Sequence, residues 1–142
     1  MTATLGGIVT SQTVAAACTV AQVEAVGSVL ATITVPNKAT ILDVIVTTTD
    51  MDTGGTTLTI DVGDASGPAT PDDDRFIAAF AGSAVLSERM SDTDGSPVYT
   101  YRNLKGTDDS QVAQEIEATV KAAATTGAVG TFTLTVIYTN SV

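Results

Sequence analysis

The chain has 142 residues, 44% of them hydrophobic and only 15% charged, which suits one folded domain and is too apolar for a disordered chain. Sixteen acidic residues against six basic ones give a net charge of −10, which disfavours nucleic acid and anionic membranes as partners. There is no histidine and a single cysteine, Cys18, so an intramolecular disulfide, a structural zinc site and His-based catalysis are all excluded.

Residues 1–27 are the least patterned part, rich in small residues and Thr, with Gly6-Gly7 near the start. They read as a partly extended N-terminal arm, with residues 28–142 as a single β-sandwich domain. Within the arm, Val20–Val26 fits a short strand or one helical turn. Met1–Ala25 carries no Lys or Arg, so the positive start of an export signal is missing. Val14–Cys18 has the small-residue texture of a lipoprotein cleavage box, again without that basic start. Cys18 itself reads as a small packed residue.

From Val29 to Val35, Ile33 and Val35 alternate with Thr32 and Thr34, as in a strand with one buried face. Pro36-Asn37 is a turn. Thr40–Thr49 is apolar on both faces and predicts a central strand covered on both sides, with Asp43 at the end of the covered stretch or hydrogen-bonded. After the turn-rich Asp50–Gly55, Thr56–Gly63 alternates strictly, with Leu58, Ile60 and Val62 on one side; the two strands are expected to form a hairpin.

Asp72, Asp73 and Asp74 precede Arg75, and Phe76, Ile77 and Phe80 fall at i, i+1 and i+4. Acidic residues at an N-cap followed by such a stripe predict a short helix, ended by Gly82. Ala84–Met90 and Val98–Arg102 read as short strands. In Gln111–Ala123, Glu and Ala favour a helix, yet Val112, Ile116, Ala118, Val120 and Ala122 share one parity, so the segment is read as a strand. Gly130–Asn140 is the clearest strand, with Phe132, Leu134, Val136 and Tyr138 on one side. Seven or eight strands with turns between them predict an all-β fold, an antiparallel β-sandwich of jelly-roll type with at most one short helix.

No enzyme chemistry is expected. A glycosidase carboxylate pair would want aromatic platforms, and Trp is absent. Asp50-x-Asp52 and Asp92-x-Asp94-Gly95 place oxygens at alternate positions, as calcium loops do, but neither completes an EF-hand, and Asp in β-loops ordinarily forms Asx-turns. Asp72–Asp74 is a further acidic cluster. No cofactor or metal is therefore assigned. Tyr99 and Tyr101 share one strand face, where packing is the ordinary role for such a pair.

The stretch "ATITVPNKATILDVIVTTTDMDTGGTTLTIDVGDA", then "DDDRFIAAF" and the C-terminal "GTFTLTVIYTN", resembles the decoration, or cement, proteins of tailed-bacteriophage heads, over about half of the chain. The likeness is one of style rather than of a fixed motif. It implies a non-enzymatic virion protein on the capsid exterior, bound to the major capsid protein, with a homotrimer at local three-fold positions clamping neighbouring subunits. The arm would then dock, and Leu5, Ile8 and Val9 are its expected partner-binding residues. Two other readings stand beside it. One is a carbohydrate-binding or adhesive module of a tail fibre or cell surface, whose loops would hold sugar or calcium; the other is a shell or tail-tube subunit that assembles with itself.

Overall fold

The computed structural model describes residues 8–36, 39–66, 72–90, 99–100 and 114–139. In chain order these form β1 (Val9–Cys18), α1 (Val20–Val23), β2 (Val29–Val35), β3 (Thr40–Thr48), β4 (Thr59–Ser66), β5 (Asp72–Ala81), β6 (Leu86–Arg89), β7 (Tyr99–Thr100), β8 (Gln114–Ala122) and β9 (Gly130–Thr139). One sheet runs β1-β9-β3-β6 and the other β2-β8-β4-β5. Every pairing is antiparallel. β7 pairs with Thr40 and Ile41 while β6 pairs with Ile45–Thr48, so the two share one lane beside β3. This order, with the chain alternating between the sheets, is the two-Greek-key jelly roll.

The core follows from parity. On β9, Phe132, Leu134, Val136 and Tyr138 are buried; on β8, Ile116, Ala118 and Val120; on β4, Ile60 and Val62. β8 lies between β2 and β4, so its period-two pattern prevails over the helix propensity of Glu and Ala. The rings of Phe80 on β5 and Phe132 on β9 meet edge to face at 6.3 Å and join the sheets. Cys18 is buried and free, and burial pushes its thiol up from the ordinary range.

Three expectations are corrected. Residues 75–80 are strand, not helix. β5 reproduces the i, i+1, i+4 stripe with a bulge: Ile60 faces Phe80 but Val62 faces Ile77, so two steps on β4 oppose three on β5. Ala79 takes up the extra residue at φ 54° and its N–H donates to Asp61 Oδ1 at 2.7 Å. The parity shift lets Phe76, Ile77 and Phe80 all reach the core.

Secondly, β3 and β4 make no hairpin, because they belong to different sheets. Their loop crosses the end of the sandwich, which the alternation of β4 does not encode. Thirdly, β3 is central but covered on one side. Ile41, Val44, Val46 and Thr48 face the core, Leu42 and Ile45 are half-buried, and Thr47 is exposed. Asp43 has the expected partner, Arg89, whose Nε donates to Oδ2 at 2.8 Å.

The helical alternative holds for Val20–Val23. Thr19 caps it: its Oγ1 accepts from the Gln22 N–H, and the Gln22 side chain accepts from the Thr19 N–H at 2.9 Å. Gly27 follows at φ +85°, a conformation that disfavours any side chain. Of the segment read as an arm, Val9–Cys18 pairs with β9 in ten consecutive register pairs and Val23 is fully buried.

Candidate interaction surface

The buried carboxylates are the first place to look for chemistry, and each has a structural partner. Asp52 sits in the β3–β4 loop. Its Oδ1 accepts from Thr126 N–H at 2.9 Å, and its Oδ2 from the N–H groups of Thr57 and Leu58 at 3.0 and 3.2 Å. These donors, the Thr126 N–H foremost, hold its carboxyl down to about 2 against the opposing effect of burial. Asp50 Oδ1 accepts from the Asp52 N–H at 3.0 Å, so the Asp50-x-Asp52 pair is an Asx-turn.

Asp61 accepts from Ala79 and lies 3.2 Å from Lys121 Nζ. Hydrogen bonding to Asp61, with the charges of Asp61 and Asp73, raises the Lys121 ammonium above its ordinary value. Asp64 accepts from the Asp72 N–H at 2.9 Å and is paired with Arg75. The Asp72–Asp74 oxygens gather within 4.8 Å of one another at the start of β5, with Arg75 3.8 Å from Asp72 and Lys121 3.6 Å from Asp73. A hydrogen bond with Asp72 raises the Asp74 carboxyl above its ordinary range. Among the described residues these groups hold strands in register, and no nucleophile–base pair is assembled. Asp92, Asp94, Gly95 and Tyr101 lie outside the described residues; Tyr99 contributes its backbone to the pairing with Ile41.

The outer surfaces differ from one another. The outer face of β2-β8-β4-β5 is acidic, with Glu115 and Glu117 on β8 and the exposed Asp73 beside Lys121, which also pairs with the buried Asp61. Burial, and then the neighbouring charge of Glu115, raises the Glu117 carboxyl. On the other sheet the register turns Ser11, Thr13 and Ala15 outward with Thr133, Thr135 and Ile137. Ile45 and Thr47 of β3 continue that face. Among the described residues the charges on it are Asp43 and Arg89, which form an ion pair. Thr13 and Thr135 share a hydroxyl–hydroxyl hydrogen bond of 2.9 Å across the strands.

Of the expected docking residues, Leu5 lies outside the described residues. Ile8 and Val9 are 75% and 61% exposed. They stand where β1 begins, opposite Thr139 at the end of β9. A second group of exposed apolar side chains lies outside the strands. Val129 (74% exposed) precedes β9, Val85 (79%) precedes β6, and Val26 lies between α1 and β2. The register sets these at the opposite end of the sandwich from Ile8, since Cys18 faces Gly130 and Leu86 faces Thr48, which faces Phe132. A period-two reading passes over them because they flank strands rather than lie within them.

One signal for the edge of the sandwich was present in the sequence: Glu24 is the single charged residue among residues 1–37. That stretch supplies β1 and β2, the edge strands on one flank of the two sheets, and the two strands touch across the sandwich.

No protein-family model matches the chain, and no curated protein sequence matches it. Solved structures do. The chain is similar to one in the cyanophage Pam1 capsid asymmetric unit, with TM-score 0.60 and 23% identity over 99% of this chain and 91% of that one. It is also similar to a chain in the capsid of Ralstonia phage GP4, with TM-score 0.65 and 24% identity over 96% of this chain and 86% of that one. At these identities the likeness is one of fold, and it extends over nearly the whole of each chain.

Proposed function

We propose that the protein is a structural component of a phage virion, a decoration protein that binds the outer surface of the head and stabilises contacts between capsid subunits. The observation that carries this reading is the end-to-end fold likeness to chains taken from phage capsid assemblies. Three properties of the molecule support it. The buried carboxylates Asp52, Asp61 and Asp64 accept hydrogen bonds from backbone N–H groups of neighbouring segments. The acidic outer face repels the packaged nucleic acid and suits an exterior position. Ile8 and Val9 offer apolar side chains at one end of the sandwich for contact with the major capsid protein, with Leu5 as a further docking residue. The proposed oligomer is a homotrimer, no nucleic acid or membrane is bound, and no cofactor is required.

Co-sedimentation tests the reading. The purified protein is expected to sediment with assembled heads and not with free capsid subunits, and antibodies against it are expected to label the outside of intact virions. Equal binding to free subunits, or labelling only after the head is opened, would overturn the exterior-decoration role. An even simpler readout separates self-assembly: tubes or shells formed by the protein alone would favour a shell or tail-tube subunit.

A further inference from the structure

We infer that the outer edge of β1 is a strand-pairing surface for a second copy of this chain, with the two β1 strands adding antiparallel about a two-fold axis. β1 pairs with β9 on one side through ten successive residues without a bulge. Among the described residues no strand pairs with its other side. Alternate backbone N–H and C=O groups therefore point outward along a straight edge, which is a template for another strand.

Proteins ordinarily blunt such an edge with charge, proline, a bulge or brevity. The opposite flank of this molecule does so. β5 carries Asp72, Asp73, Asp74 and Arg75 and is bulged at Ala79. β6 has four residues, two of them Glu88 and Arg89. β1 is ten residues long and carries no charge and no proline. β2, which touches it from the other sheet, is uncharged as well.

Charge selects the occupant. Two molecules of net charge −10 repel each other over most of their surface, and the β1 flank is where they can approach without opposing carboxylates. The strand is also self-complementary. A two-fold axis normal to the sheet and centred on Thr13 sets Val9 opposite Ala17 of the second copy, Ser11 opposite Ala15, and Thr13 opposite itself. Small residues meet across the outer face, and Thr–Thr is a favourable cross-strand pair. Both outer faces then lie on the same side, giving one continuous sheet with a largely uncharged surface.

This contact is separate from a trimer interface. A three-fold axis joins unlike surfaces, so β1 cannot pair with itself inside a trimer. The two-fold contact joins single chains, or one trimer to the next, and it does not depend on the virion reading.

Solution mass across a concentration series tests the inference. The wild-type protein is expected to reach an even number of chains. Thr13→Lys places two ammonium groups face to face at the axis and is expected to halve that mass at the same concentration. Thr13 is exposed, so the melting temperature should stay close to wild type. Thr13→Cys is expected to form an intermolecular disulfide, because directly opposed strand residues lie about 5 Å apart at Cα. Ala15→Cys, which faces Ser11, is expected to form none. An odd number of chains at every wild-type concentration, an unchanged mass for Thr13→Lys, or equal cross-linking of the two cysteine variants would overturn it.

Discussion

At the residue scale, Asp52 closes one end of the sandwich by tying the β3–β4 loop to the β8–β9 loop through the backbone N–H groups of Thr57, Leu58 and Thr126. Its carboxyl is held at about 2 in the fold, against an ordinary value of 3.8. A depressed carboxyl contributes stability that is fully present above the unfolded value and is lost as pH falls through the folded one. The wild-type melting temperature is therefore expected to drop between pH 3.8 and about 2, and Asp52→Asn should flatten that drop while lowering the melting temperature at neutral pH. Circular-dichroism melts across this range provide the check; identical acid limbs would remove Asp52 from the account. Ala79 is the converse case, a non-glycine at φ 54°. Ala79→Gly should relieve left-handed strain of roughly 1 kcal/mol and raise the urea midpoint, provided the Asp61 hydrogen bond persists.

At the element scale, β5 depends on a close approach that has no signature of its own in the sequence. A side chain at Gly63 of β4 would drive its Cβ into the Asp72 carbonyl oxygen and the Asp73 backbone. Gly63→Ala must push the start of β5 away, disturbing the Asp64–Arg75 pair, and is expected to cost about 2 kcal/mol or more in urea unfolding. Phe132→Ala removes the ring that meets Phe80 across the two sheets and is expected to cost about 3–5 kcal/mol. A loss under 1 kcal/mol would mean that the sheets close over the gap. β8 and β9 were legible because alternation survives along their whole length. β5 was not, because a bulge changes its parity midway and gives the stripe of an amphipathic helix.

At the scale of the whole molecule, charge is segregated. Carboxylates crowd the outer face of β2-β8-β4-β5, while the β1 flank and the Thr-rich face of the other sheet are almost bare of net charge. The proposed docking end follows from this arrangement. The double substitution Ile8→Asp, Val9→Asp is expected to weaken co-sedimentation with heads at least tenfold while leaving the melting temperature nearly unchanged, since both side chains are largely exposed. Retained binding would move the contact elsewhere, and the apolar residues at the opposite end, Val26, Val85 and Val129, would be next.

The all-β class, most of the strands with their buried faces, and the absence of histidine-based chemistry can be read from the residues alone. These are local properties: side-chain parity has a period of two and can be read within one strand. Which strands pair emerges in the folded chain. The β3–β4 loop crosses between sheets, β6 and β7 share a lane, and the unpatterned N-terminal stretch contains an edge strand. Partner choice is set by contacts between residues far apart in the chain, such as Val9 with Thr139, and no local window contains both members of such a pair. The same holds for the edge: a strand becomes one only when every other strand has taken its place.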